Sequence, residues 1–203
     1  MANRWIWISG WAINPDRFRA AAEAALPDDV HEVLAPTPDA LEAVCKSDAD
    51  RIGGYSLGSL ILLSALEQLT EKTPITCLAP FISFCKEDGA GGTTLLATLH
   101  ALQQRLRVKP LKALQLFYRL AGLNDEPSDE LPYSVDDLAW GLEQLGTLKA
   151  NPTLLDQVTA IAGQGDLLID SQKMGHQWTN CRFVEQCGHD YRTLLSKMIY
   201  TEY

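Results

Sequence analysis

Cysteine is scarce and unpaired in this sequence of 203 residues. Its five cysteines form no Cys-x-x-Cys pair, and their odd number argues against a disulfide framework. Their spacing matches no common zinc site, so we expect reduced thiols, no metal and no cofactor. No apolar run approaches the roughly 20 residues that cross a bilayer, and the N-terminus has no basic-then-apolar signal segment. These absences predict a cytoplasmic protein.

Basic residues are also fewer than acidic residues. Lys and Arg total 17 against 26 Asp and Glu, and the net charge of −9 disfavours general binding to nucleic acid. The stretch from Gly89 to Leu123 is the exception, because it contains no acidic residue. Its basic residues are Arg105, Arg107, Lys109, Lys112 and Arg119. An acidic chain therefore carries one basic segment, for which the alternative interpretation is an ordinary solvated helix face.

Short β-like runs alternate with helix-like runs along most of the chain, which predicts a parallel sheet covered by helices. The predicted strands are Arg4–Ser9, Val30–Leu34, Arg51–Gly54, Ile75–Ala79, Val158–Ala162 and Arg182–Val184. The predicted helices among them are Pro15–Ala25, Pro38–Cys45, Leu57–Leu69 and Tyr191–Tyr200. Asn14 is the expected cap of the first helix, with Pro15 at its first position.

Residues 84–150 break this alternation, because they contain helical patterns without strands. The predicted helices there are Thr93–Leu106, Pro110–Ala121 and Ser134–Leu145, the last with a cap at Ser134. All five basic residues named above fall in this segment. The sequence thus predicts a sheet domain made of residues 1–83 and 151–203, interrupted by a helical lid insertion of residues 84–150.

The sharpest motif is the pentapeptide Gly54-Tyr-Ser-Leu-Gly58, with Ser56 at its centre. It follows a predicted strand and opens a predicted apolar helix, the context in which Gly-x-Ser-x-Gly is informative. A nucleophilic serine must stand clear on a very tight turn, where small flanking residues avoid clashes. The alternative is a glycine-rich turn with an incidental serine. We expect Ser56 to be the nucleophile of an α/β-hydrolase fold with a mainly parallel sheet of about six strands.

A serine hydroxyl needs a base, and the base needs an orienting carboxylate. Among four histidines, His189 follows the last predicted strand, at the sheet edge where Ser56 also lies, and is the expected base. Asp166 directly follows the preceding strand and is the expected acid, with Asp170 as the alternative. The chain order of serine, aspartate and histidine is the order expected for this fold.

A developing oxyanion needs two N–H donors. The backbone N–H of Leu57, directly after the nucleophile, is one candidate. The loop after the first strand offers the backbone N–H of Trp11 as the other. The alternative for Trp11 is a core aromatic residue, and its indole is also suited to line an acyl pocket while its backbone serves the oxyanion.

These segments resemble the pimeloyl-[acyl-carrier-protein] methyl ester esterases of biotin synthesis. The matching segments are Ser9–Asn14, Gly54–Gly58, Gly163–Asp166 and Gly188–His189, in order and at suitable distances. Residues 140–145, Trp-Gly-Leu-Glu-Gln-Leu, are similar to that family's segment between lid and returning sheet. The triad motifs are common to many esterases, whereas the Gly-Trp-x-x-Asn start and the Gly-Leu-Glu segment are more particular.

The resemblance implies hydrolysis of the methyl ester on a pimeloyl chain carried by acyl carrier protein, with release of methanol. It implies the triad and oxyanion roles given above, and a basic lid that binds the acidic carrier. The matching basic set is Arg105, Arg107, Lys109, Lys112 and Arg119. Two features depart from the family: Ser9 stands where many relatives have histidine, and the usual N-terminal antiparallel hairpin is missing.

Two other functions stay open. One is a general short-chain carboxylesterase or thioesterase with the same triad, and the other is a non-catalytic binding protein that retains the fold. The basic segment favours an acidic partner such as acyl carrier protein independently, since opposite charges steer association. We expect a monomer that binds neither nucleic acid nor membrane.

Overall fold

The computed structural model describes residues 2–69, 73–124 and 129–198. Within them, six strands form one parallel sheet in the order β2-β1-β3-β4-β5-β6. The strands are β1 Arg4–Ile8, β2 Val30–Leu34, β3 Arg51–Tyr55, β4 Ile75–Leu78, β5 Thr159–Gly163 and β6 Cys181–Val184. The α-helices are α1 Pro15–Ala25, α2 Ala40–Lys46, α3 Leu57–Ser64, α4 Leu96–Val108, α5 Pro110–Ala121, α6 Val135–Thr147, α7 Ser171–Gln177 and α8 Tyr191–Ser196. The predicted six-stranded α/β architecture is confirmed.

Two helices begin at the caps that the sequence predicts. The side chain of Asn14 accepts hydrogen bonds from the backbone N–H groups of Asp16 and Arg17, at 2.9 and 3.2 Å. The hydroxyl of Ser134 accepts one from the backbone N–H of Asp137, at 3.1 Å. These contacts satisfy N–H groups that have no acceptor inside the helix.

Three helices differ from their predicted bounds by three residues or more at one end. α3 stops short of the predicted Leu69, and a 3₁₀ turn continues the segment. α4 starts after the predicted Thr93, because Cys85 and Thr94 form a β-bridge that holds this stretch extended. α8 ends before the predicted Tyr200, which lies outside the described residues.

The strand order fixes where a site can form. β1 lies between β2 and β3, so the chain leaves β1 toward one side of the sheet and leaves β3 toward the other. Loops that diverge in this way open a crevice at the carboxyl ends of parallel strands. The loop after β1, with Trp11, and the turn after β3, with Ser56, therefore flank this crevice.

The helices α4, α5 and α6 lie in the connection between β4 and β5. α4 packs against α5 and α6, and α6 contacts α3, which begins just after Ser56. The apolar faces of α5 and α6 are buried, including Leu114, Phe117, Leu138 and Leu142. Among the described residues, no helix combines the length and the apolar character needed to cross a membrane.

Candidate active site

The turn after β3 carries Ser56 in an unusual backbone conformation, with φ 54° and ψ −114°. The flanking glycines explain how the chain reaches it. A Cβ at Gly54 would come within 2.7 Å of the backbone nitrogen of Ser59, and a Cβ at Gly58 within 2.0 Å of the carbonyl oxygen of Ile8. Both contacts are backbone contacts that no side-chain movement relieves. The pentapeptide thus forms the tight turn that the motif predicts.

Ser56, His189 and Asp166 form one chain of hydrogen bonds. The Oγ of Ser56 lies 2.9 Å from Nε2 of His189, and Nδ1 of His189 lies 2.6 Å from Oδ2 of Asp166. All three residues are buried. The second oxygen of Asp166 accepts the backbone N–H of Leu168 at 2.8 Å, which fixes the carboxylate. The structure therefore brings together the three residues chosen from sequence, in an arrangement suited to activating the serine.

The alternatives lie elsewhere. Asp170 caps α7, where its side chain accepts the backbone N–H of Lys173 at 3.0 Å. His31 is a core residue that contacts the indole N–H of Trp7 at 3.2 Å. His100 and His176 are exposed on α4 and α7.

Tyr55 supports the loop that carries His189, a role that no sequence pattern indicates. Its hydroxyl donates a hydrogen bond to the backbone carbonyl of His189 at 2.7 Å. Burial raises the pKa of Tyr55 well above its usual value, so the hydroxyl stays protonated and remains a donor. The x position of a Gly-x-Ser-x-Gly motif carries no such signal, because its partner lies on a distant loop.

The loop after β1 lies directly against Ser56. A Cβ at Gly10 would come within 3.2 Å of the Cβ of Ser56 and within 2.7 Å of the ring of Tyr55. The next residue, Trp11, is buried, and its indole N–H donates to the carbonyl of Leu138 at 2.8 Å. The assignment of the Trp11 and Leu57 backbone N–H groups as oxyanion donors stays a prediction.

Ala12 continues this loop with a left-handed backbone, φ 62°. Its N–H donates to the hydroxyl of Tyr133 at 2.6 Å, and its carbonyl accepts from the hydroxyl of Tyr118 at 2.7 Å. Both tyrosines belong to the helical insertion. Sequence reasoning missed them, since no short motif links residues so far apart.

An apolar cleft of about 250 Å³ lies between the insertion and the loop after β5. Its lining includes Phe84, Leu99, Leu102, Phe117, Leu120 and Leu168. Leu168 donates its backbone N–H to Asp166, and the ring of Phe117 meets the ring of Trp11 edge-on with centroids 4.8 Å apart. The cleft therefore borders the loop of Asp166, and Phe117 separates it from Trp11.

The five basic residues between Gly89 and Leu123 are all exposed. Arg105 and Arg107 lie in the last turns of α4, Lys109 joins α4 to α5, and Lys112 and Arg119 lie on α5. The same two helices contribute Leu99, Leu102, Phe117 and Leu120 to the apolar cleft. In the part of the chain that the structure describes, no three His, Cys, Asp or Glu residues cluster as a metal site would require.

Comparison with solved structures shows the fold. The chain is similar to the N-acyl homoserine lactonase AidH, with a TM-score of 0.62, 13% identity and coverage of 100% of this chain and 91% of that one. It is also similar to a lipase-esterase related protein from Clostridium acetobutylicum, with a TM-score of 0.61, 13% identity and coverage of 97% and 91%. A third similar structure is an alpha/beta hydrolase from Sphaerobacter thermophilus, with a TM-score of 0.59, 12% identity and coverage of 98% of this chain and 91% of that one. The sequence matches no family model and no curated protein. The chain has the α/β-hydrolase fold.

Proposed function

We propose that this chain is a serine hydrolase that cleaves carboxylic esters. The observation that carries the proposal is the buried hydrogen-bonded series from Ser56 through His189 to Asp166. It lies at the crevice where the strand order predicts a ligand site. The names of the similar solved structures, among them a lactonase and a lipase-esterase related protein, agree with hydrolysis of ester bonds.

The mechanism follows from the geometry. Ser56 Oγ attacks the ester carbonyl carbon while Nε2 of His189 takes the hydroxyl proton, and Asp166 stabilises the imidazolium that forms. The tetrahedral intermediate places its negative oxygen near the N–H of Leu57, which begins α3 and has no acceptor inside that helix. The intermediate collapses as His189 gives its proton to the leaving alcohol. In the second half of the reaction, His189 takes a proton from a water molecule, which attacks the carbonyl carbon of the acyl-enzyme. His189 then returns the proton to Ser56 Oγ as the acid leaves.

The finer proposal names the substrate as the methyl ester of a pimeloyl chain on acyl carrier protein. The family resemblance suggests it, and two features of the insertion support it. The exposed basic residues of α4 and α5 suit an acidic carrier. The apolar cleft on the same helices suits the methylene chain that such a carrier presents. A general short-chain esterase would need the cleft but not the basic surface.

Replacing the nucleophile tests the hydrolase proposal. We expect Ser56→Ala to lower kcat for a p-nitrophenyl ester by roughly 10⁶-fold and to abolish fluorophosphonate labelling, with the fold retained by circular dichroism. Ser64→Ala is the matched control, because that serine lies in α3 and donates only to the carbonyl of Ile61. It should keep turnover and labelling. Unchanged turnover in the Ser56 variant would refute the proposal and favour a binding protein.

The substrate proposal is tested by ionic strength and by charge reversal. We expect kcat/KM for carrier-bound ester to fall as salt rises, while turnover of p-nitrophenyl ester stays level. Arg105→Glu combined with Lys112→Glu should lower kcat/KM for carrier-bound ester by about 10-fold or more. Lys46→Glu, which reverses an exposed charge on α2, is the control and should change neither. Equal preference for free and carrier-bound esters would favour the general esterase.

A further inference from the structure

Ala12 adopts a backbone conformation that alanine avoids. Its φ is 62°, and its side chain is 1% exposed. A left-handed backbone is unfavourable for an L-residue, because its Cβ comes too close to the following carbonyl oxygen. Such a residue persists only where its surroundings hold it, and residues of this kind concentrate at functional sites.

Hydroxyl groups from the helical insertion hold this residue on both sides. Tyr133 accepts the Ala12 N–H at 2.6 Å, and Tyr118 donates to the Ala12 carbonyl at 2.7 Å. A third contact, from the Trp11 indole to the carbonyl of Leu138 at 2.8 Å, joins the preceding residue to α6. The insertion thus makes three hydrogen bonds to two consecutive residues of the loop after β1.

These hydrogen bonds distinguish the backbone N–H of Ala12 from that of Trp11. The Ala12 N–H is already bound to a hydroxyl, whereas the Trp11 N–H donates to no group in residues 2–69, 73–124 and 129–198. Gly10, one residue earlier, lies so close that its Cβ would meet that of Ser56 at 3.2 Å. The orientation of this loop therefore decides whether an N–H points to the carbonyl that Ser56 attacks.

We propose that Tyr118 and Tyr133 are positioning residues that hold Ala12 in its left-handed conformation and so direct the Trp11 N–H to the oxyanion. The inference rests on the proposed serine hydrolase function. It makes the oxyanion hole depend on the docked insertion: the loop has its active shape when the insertion is in place. Neither tyrosine touches the substrate in this assignment.

Removing either hydroxyl tests the proposal. We expect Tyr118→Phe and Tyr133→Phe each to lower kcat for a p-nitrophenyl ester by about 10- to 100-fold, with KM within about twofold. Affinity for a trifluoromethyl ketone, whose adduct with Ser56 carries the oxyanion, should fall in the same ratio as kcat. A merely structural role would lower thermal stability without this matched loss.

The substitution Ala12→Gly supplies a second, independent readout. Glycine adopts positive φ without the alanine strain, so the loop should need the tyrosines less. In the Ala12→Gly background, Tyr118→Phe and Tyr133→Phe should each lower kcat by a smaller factor than in the parent, and a double-mutant cycle measures the difference.

Two results would overturn the proposal. A higher kcat in Tyr133→Phe would mean that the Tyr133 hydroxyl occupies the Ala12 N–H, which would otherwise donate to the oxyanion. Unchanged kcat and inhibitor affinity in both tyrosine variants, with Ser56→Ala inactive, would remove the positioning role and leave the hydrolase intact. Activity retained in Ser56→Ala would instead refute the hydrolase itself. If one tyrosine variant fails to fold, the other still decides between these results.

Discussion

Ser56 and Ala12 are two of the four non-glycine residues with positive φ among the described residues, and their turns are held in different ways. Ser56 has φ 54° and Ala12 has φ 62°. The Ser56 turn depends on its own neighbours, because Gly58 lets the helix approach β1 and the Ser56 N–H donates to the next strand at 2.9 Å. The Ala12 turn is closed locally by the Ile13 N–H, which donates to the Gly10 carbonyl at 3.1 Å, and it also contacts Tyr118 and Tyr133, 106 and 121 residues away in the sequence.

The two turns differ in which part of the chain holds them: the Ser56 turn is held by the sheet and α3, and the Ala12 turn is held in part by the insertion. A turn held by adjacent residues forms as soon as its strand and helix pack. A turn that also contacts distant hydroxyls has all its hydrogen bonds only when another part of the chain has docked. Ser56 and His189 therefore depend on the sheet and its adjoining turns, whereas we infer that the loop after β1 depends on both the sheet and the insertion.

The largest effect is expected from a substitution that breaks the Ser56 turn. Gly58→Ala would place a Cβ 2.0 Å from the carbonyl oxygen of Ile8, a backbone atom that cannot move aside, so we expect loss of the folded state. Gly141→Ala is the matched change on the insertion side. Its Cβ would meet the ring of Trp11 at 2.7 Å, and a ring can shift. That variant should fold but lose turnover.

Circular dichroism and ester hydrolysis measure both variants. The Gly141 variant should keep its melting transition, because alanine favours a helix interior over glycine by about 1 kcal/mol. Parent-like melting of the Gly58 variant would contradict the close approach of α3 to β1. Parent-like turnover of the Gly141 variant would show that the position of the Trp11 ring does not matter for catalysis.

The next effect concerns the acid. Asp166→Asn should lower kcat by about 10⁴-fold, because an amide cannot stabilise the imidazolium or hold the required tautomer. Asp170→Asn is the control four residues on, since that side chain only caps α7. It should keep kcat and lose at most about 1 kcal/mol of stability. Similar losses of kcat in the two variants would contradict the assignment of Asp166.

The sequence predicted the local half of the site and missed the remote half. Ser56, Asp166 and His189 lie one, three and five residues after the ends of β3, β5 and β6, so strand patterns and glycine positions were enough to place them at one sheet edge. Tyr55 and Tyr133 act through partners on distant loops, and their positions follow from packing alone. The bounds of α3 and α4 were missed for a similar reason, since a β-bridge and a 3₁₀ turn override the helical pattern.

A smaller effect is expected at Tyr55, whose hydroxyl contacts His189 across 134 residues of sequence. Tyr55→Phe keeps the ring beside His189 but removes the hydrogen bond to that residue's carbonyl. We expect kcat to fall by about 10-fold because the base is less well placed. Ser59→Ala is the control, because it removes a buried hydroxyl that donates to Leu78 at 3.0 Å and does not contact the histidine. Its kcat should equal the parent's, and equal losses in both would assign Tyr55 to stability alone.

The smallest effect is expected at the indole of Trp11, because the tyrosines remain in place to hold the loop. Trp11→Phe removes the hydrogen bond to Leu138 but keeps an aromatic ring against Phe117. One neutral hydrogen bond contributes about 1 kcal/mol, so we expect kcat to fall by about five-fold at most. Trp5→Phe is the matched control: its indole donates to Asp29 at 2.8 Å, at the start of β1 and away from the crevice. It should lower stability and leave kcat unchanged. If kcat is the same in both variants, the insertion holds the loop through its tyrosines alone.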